Sequence, residues 1–244
     1  MITVILFVFG LIIGSFLNVV GLRFRSGVGL GGRSFCVVCR KDLEWWELVP
    51  VVSFVSLKGK CSKCKTGISC QYPLVELLTA LVFATLPRIS IISYILFATV
   101  FSIYIVILIY DARHKIIPDS LVYPTIALAF LARIFAGGMF EKDFVVALGL
   151  FAFFAALYIF SRGRAMGFGD AKLALSIGFL LGAAEGLSAV VLAFWIGTLT
   201  VFAIFLSVPK KFTMKTEIPF APCLILGAWL ALILHLDLFH VTLF

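Results

Sequence analysis

Long apolar runs alternate with short polar breaks along this chain. The runs occupy 2–22, 74–87, 90–110, 120–137, 144–161, 171–184, 186–208 and 218–236. Each approaches the ~20 residues with which an α-helix crosses a ~30 Å hydrocarbon core, and 74–87 and 171–184 are the shortest. The breaks after 87, 137 and 184 are brief, whereas the polar segment 23–73 is long. This pattern predicts an all-α polytopic membrane protein of about eight transmembrane helices with a small loop domain. The expected division is a first helix at 1–22, a loop at 23–73 and a seven-helix membrane domain at 74–244.

Composition points the same way. Hydrophobic residues make up 63% of the 244 positions and charged residues 13%, where a soluble domain is about half apolar and a quarter charged. The first run lacks a basic start and a small-residue cleavage site, so it reads as a retained span and not as a signal peptide.

The net charge of +8 changes the picture through its distribution. Nine of the twenty basic residues fall in 23–65: Arg23, Arg25, Arg33, Arg40, Lys41, Lys58, Lys60, Lys63 and Lys65. With eight spans, this segment shares a side with Arg113, Lys115, Arg162, Arg164, Lys172, Lys210, Lys211 and Lys215, and only Arg88, Arg133 and Lys142 fall elsewhere. The positive-inside rule then puts the loop in the cytoplasm and both chain ends outside. The charge therefore reports topology, with some attraction to anionic membrane lipid, and nucleic acid is not an expected partner. No internal repeat is apparent.

The loop carries Cys36-Val-Val-Cys39 and Cys61-Ser-Lys-Cys64. Two C-x-x-C pairs at this separation suit a closed, structural Zn²⁺ site of zinc-ribbon type. Two disulfides are the alternative, disfavoured in a reducing compartment. Cys70 and Cys223 read as ordinary cysteines in apolar surroundings. Trp45 and Trp46 read as interfacial anchors.

Two acidic residues stand at the borders of apolar runs. Asp170 follows Gly167-Phe168-Gly169 at the head of one helix, and Asp111 ends another. The ordinary reading of the first is an N-cap after turn chemistry. The functional reading pairs the two: two carboxylates sharing a water can hydrolyse an amide when one is ionised and the other protonated. The positive helix end, with Arg162, Arg164 and Lys172 nearby, favours charge on Asp170, and the negative helix end disfavours it on Asp111. Gly167 and Gly169 would supply backbone freedom. Asp119, after Pro118, would cap the next span. Glu76, just inside the second span, is a functional candidate that could equally snorkel or pair.

Taken in order, these motifs resemble the type IV prepilin peptidases. The resemblance lies in Gly14-Ser15-Phe16-Leu17-Asn18, the paired C-x-x-C motifs, Tyr72-Pro73-Leu74-Val75-Glu76, Asp111 through Pro118-Asp119, Gly167-Phe168-Gly169-Asp170-Ala171-Lys172, and Ile218-Pro219-Phe220-Ala221-Pro222, where Ala221 replaces the usual Gly. It implies a GxGD-type intramembrane aspartic endopeptidase of the bacterial cytoplasmic membrane, similar to the bifunctional members. Such an enzyme cuts the basic leader of type IV prepilins or type II secretion pseudopilins after Gly, then methylates the new N-terminus with S-adenosylmethionine. By position Asp111 and Asp170 match the catalytic pair, and Cys36, Cys39, Cys61 and Cys64 the tetracysteine site; no residue is assigned to the methyl donor. A peptidase without methyl transfer and a cation-binding transport subunit are the competing readings.

Overall fold

The computed structural model describes residues 1–27, 29, 31–138, 140–164, 166–207 and 219–240, the side chain of Phe140 excepted. The basic residues Lys210, Lys211 and Lys215, and Ile218 of the last motif, lie outside the described residues. The chain divides into two compact units, Met1–Thr85 and Leu86–Phe244.

In the first unit α1 (Ile2–Arg23) packs along α3 (Gln71–Thr85). Without side chains, Gly10 and Gly14 let the two backbones touch: a Cβ at Gly10 would lie 2.7 Å from Ala80 Cα, and one at Gly14 2.8 Å from Glu76 Cα. This is the small-x-x-x-small device by which helices associate in lipid. Asn18, fully buried, donates from Nδ2 to the carbonyls of Gly14 and Tyr72. Between these helices come a 3₁₀ turn (Trp45–Leu48) and the short α2 (Val52–Ser56).

In the second unit α5 (Asp119–Phe135), α6 (Phe140–Ser161) and α8 (Ala221–Leu234) pack on the long α7 (Phe168–Ser207), and α4 (Ile91–His114) packs on α5 and α8. The two runs 171–184 and 186–208 form one helical stretch, broken at Gly182, whose φ of 77° and ψ of −168° suit glycine alone. The broken turn is held from outside. Asp143 Oδ1 accepts the Ala183 N–H at 2.9 Å, and its Oδ2 binds Arg133 Nε at 2.6 Å. This pair accounts for a cation at the end of α5, one of the three outside the main basic set.

Among the described residues, α1, α4, α6 and α7 are long and apolar enough to cross a membrane, and α3 and α8 are shorter apolar helices. The fourth helix runs past the expected end at 110 to His114. Asp111 therefore sits inside the last turn of α4 and does not end it.

Candidate active site and metal centre

Asp111 and Asp170 come from α4 and α7, and both are buried. They lie close enough for the charge of Asp111 to act on Asp170. Their helices are tied by one buried side-chain hydrogen bond, Tyr104 Oη to Ser176 Oγ at 2.8 Å. Each carboxylate has a backbone amide facing it, Gly167 N–H at 3.2 Å from Asp170 Oδ2 and the Ala221 N–H toward Asp111. Asp111 Oδ2 is buried with no hydrogen-bond partner among the described residues. Buried polar atoms are nearly always paired, which sets this oxygen apart.

The ordinary reading of Asp170 is half right. The helix starts at Phe168, so Asp170 occupies its third position and reaches back to the residue before the helix. That is the reciprocal half of a capping box, with one carboxylate oxygen engaged. Asp119 differs from expectation too. Pro118 precedes the helix and Asp119 lies in its first turn. Its Oδ1 meets Lys172 Nζ at 2.6 Å, with the ammonium 4.8 Å from the Tyr123 ring and 5.2 Å from that of Phe168. Lys172 is thereby committed to Asp119 and does not neutralise Asp170.

Neither glycine of the motif has a positive φ, so backbone freedom is not their role. A Cβ on Gly169 would lie 2.8 Å from Ile117 Cβ, so this glycine admits the segment that follows Asp111. A Cβ on Gly167 would meet only Asp170 Oδ2 at 3.6 Å and the Gly169 nitrogen at 4.0 Å. Ala221 serves its site through a backbone N–H, which alanine supplies as well as glycine.

Glu76 belongs to the first unit. It is buried, and its Oε2 accepts the Val51 N–H at 2.8 Å. Val51 has φ 60°, a left-handed conformation that costs a β-branched residue about 1–3 kcal/mol. Among the described residues Glu76 has no cation partner; it holds the loop against α3.

The four cysteine sulfurs of the loop lie within 4.8 Å of one another. Cys36 and Cys64 Sγ are 3.8 Å apart, and Cys39 and Cys61 Sγ 4.0 Å. Tetrahedral Zn–S bonds of ~2.3 Å imply edges of ~3.8 Å, so the thiol set fits zinc and leaves no open coordination position. The two halves repeat a turn that the sequence reading did not notice. The N–H of Cys36 donates to Lys41 O and that of Arg40 to Cys36 O; Cys61 donates to Thr66 O and Lys65 to Cys61 O. Arg40 and Lys65, each directly after a second cysteine, have φ of 56° and 59°. The visible signal was the repeat C-x-x-C-(Arg/Lys). Pairing across each turn stops at isolated bridges, Phe35 with Asp42 and Lys60 with Gly67, so the loop is only ribbon-like.

The thiols share their protons unequally. The Thr66 hydroxyl and amide lower Cys64 to about 6. The Lys41 amide pulls Cys39 down, but desolvation and the neighbouring sulfurs outweigh it and push it up to about 11. Beside them Glu47 accepts from Lys41 Nζ at 3.0 Å and from the Glu44 N–H at 2.8 Å. Burial alone would raise its carboxyl, but the Glu44 amide, the Ser62 hydroxyl and Lys41 hold it below the usual carboxylate range. Cys70, expected in apolar surroundings, is exposed, whereas Cys223 is buried.

Comparison with known proteins decides the family. The chain is 36% identical over 233 residues to the prepilin leader peptidase/N-methyltransferase of Bacillus subtilis (strain 168), covering 93% of this chain and 92% of the relative. The chain belongs to the type IV leader peptidase family. Residues 95–202 match that family's model, and residues 8–90 match the bacterial peptidase A24 N-terminal domain. The prepilin leader peptidase/N-methyltransferase of Neisseria gonorrhoeae is 30% identical over 261 residues, covering 91% of this chain and 87% of the relative. No solved structure matches the chain.

Proposed function

We propose that this chain is a membrane-embedded aspartic endopeptidase. It cuts the basic leader of type IV prepilins or type II secretion pseudopilins after Gly, then methylates the exposed amine. The observation that carries the reading is the meeting of two buried carboxylates from α4 and α7, one with an unpartnered oxygen, in a chain of this family.

One carboxylate of the pair, ionised, takes a proton from the attacking water, and the other, protonated, gives its proton to the scissile carbonyl oxygen. Collapse of the tetrahedral adduct breaks the C–N bond, and the leaving amine recovers a proton from the pair. In the second reaction the amine gives up a proton, an N–CH₃ bond forms and the S–CH₃ bond of S-adenosylmethionine breaks. Cys36, Cys39, Cys61 and Cys64 would hold a structural Zn²⁺ that folds the loop; with four protein ligands it takes no direct part.

Counting α7 as two segments about Gly182, the helices supply eight spans in the bacterial cytoplasmic membrane. The distribution of basic residues supports a cytoplasmic side for loop 23–73 and for both carboxylates. In this reading 23–73 is the methyltransferase-associated loop and 74–244 carries the peptidase.

The test is the mass of a co-expressed prepilin. The unaltered chain yields a product that has lost its leader and gained one methylene. Asp111→Asn and Asp170→Asn each leave it full length; near-normal cleavage by either overturns the pair. Cleavage without methylation would leave a peptidase alone.

A further inference from the structure

We propose that Glu76 is a positioning residue for methyl transfer, acting through a strained turn in loop 23–73. The inference rests on the reading of that loop as methyltransferase-associated and adds a residue that the reading leaves unused.

The turn is Pro50-Val51-Val52. Val51 has φ 60° and ψ −48°, and the Val52 N–H closes back on the Pro50 carbonyl at 2.6 Å. This is a γ-turn of the rare and strained hand, at a β-branched residue that seldom takes a positive φ. Strain of this kind persists only where the surroundings enforce it, and it gathers at functional sites.

The enforcing group is Glu76. Its Oε2 accepts the Val51 N–H at 2.8 Å, and Ser15 of α1 lies against the same carboxylate. Beside Ser15, the bare Cα of Gly14 lets the backbone of α1 come up to Glu76. The carboxylate is therefore held between two helices, and it fixes the turn to both.

From the turn, contacts lead to the cysteines. Pro50-Val51-Val52 joins the 3₁₀ turn Trp45–Leu48 to α2, and those two pack together. Glu47 of the 3₁₀ turn binds Lys41, two residues after Cys39, and Lys41 Nζ donates to Ser62 Oγ at 2.8 Å, between Cys61 and Cys64. A shift at Val51 is thus passed to both cysteine turns. Glu76, Ser15, Val51 and the four cysteines all belong to the first unit, whereas Asp111 and Asp170 belong to the second. The step that Glu76 serves is the one the loop carries, not hydrolysis. What the turn needs from position 76 is an acceptor for the Val51 N–H, not a proton.

The experiment gives the purified full chain a prepilin and S-adenosylmethionine labelled in its methyl group, and reads leader loss and label on the product separately. Glu76→Ala releases the turn. Methyl transfer then falls on the order of a hundredfold, the scale of about 1 Å of misplacement, while leader loss stays near that of the unaltered chain. Glu76→Gln keeps an oxygen for the Val51 N–H and retains most of the transfer. Val51→Gly, added to Glu76→Ala, takes the same φ without strain and restores part of it. Glutamine as poor as alanine would mean that a proton is exchanged there, and overturns the positioning role. So does failure of Val51→Gly to restore transfer, or an equal fall in both reactions. Should Glu76→Ala not fold, Val51→Pro decides: proline lacks the N–H and the positive φ, so this variant loses transfer and keeps cleavage. Full transfer by Val51→Pro overturns the inference. Should no label pass from the unaltered chain, the methyl-transfer reading itself falls, and this inference with it.

Discussion

Tyr104 on α4 and Ser176 on α7 share a buried hydrogen bond of 2.8 Å that links the two helices carrying Asp111 and Asp170. Asp111 lies seven residues after Tyr104, and Asp170 six before Ser176. Two helices running in opposite directions keep both pairs level. Tyr104→Phe leaves the Ser176 hydroxyl buried without this partner, at a cost of about 1–3 kcal/mol. Thermal unfolding in detergent should show the loss, and prepilin cleavage should fall with it. Adding Ser176→Ala should recover part of the stability, because no polar group is then left unpaired.

Gly169 is needed for close approach, not for backbone conformation. Gly169→Ala puts a methyl carbon 2.8 Å from Ile117 Cβ, so the segment after Asp111 must move. Small displacements of this kind cost catalysis heavily, on the order of a hundredfold for about 1 Å. Cleavage by Gly169→Ala should fall by one to two orders of magnitude, at that scale, with little change in KM. Ile117→Gly in the same chain removes the obstructing carbons and should restore part of the rate.

Glu47 makes the loop sensitive to acid. Its folded carboxyl titrates below the ordinary 4.5, so its contribution to stability is complete above that value and fades as pH falls through the lower one. In chain stripped of metal, Trp45 and Trp46 beside it report the change. Their fluorescence should show a transition below pH 4.5 that Glu47→Gln lacks.

Removal of metal should loosen the loop. The purified chain should carry one Zn²⁺ for its four thiolates. A strong chelator, or Cys61→Ser, should expose the backbone between the two cysteine pairs to protease. Added Zn²⁺ should restore protection in the chelated chain but not in the variant. Equal protease resistance with and without metal would contradict a structural site.

Much of this was legible in the linear pattern because it depends on short windows. Apolar length located the helices, though α4 runs on to His114 and α7 breaks at Gly182 without parting in two. The spacing of Cys36, Cys39, Cys61 and Cys64 announced a metal loop, because two tight turns need only local residues. Asp119 and Lys172 were misjudged for the opposite reason. Each looked like a helix-end charge within its own window, yet they bind each other across 53 positions of chain.

By itself, the sequence determined that this is an apolar all-helical protein with a tetracysteine loop and two acids at helix borders. Tertiary structure alone decided that Asp111 and Asp170 come near enough for a charge on one to act on the other, and that Gly167, not Lys172, holds Asp170. The physical reason is that apolar length and turn chemistry are encoded locally, whereas the meeting of side chains from separate helices follows from packing. At Gly169 the approach of Ile117 depends on a side chain that is absent, and between α4 and α7 on a Tyr104 side chain long enough to reach Ser176.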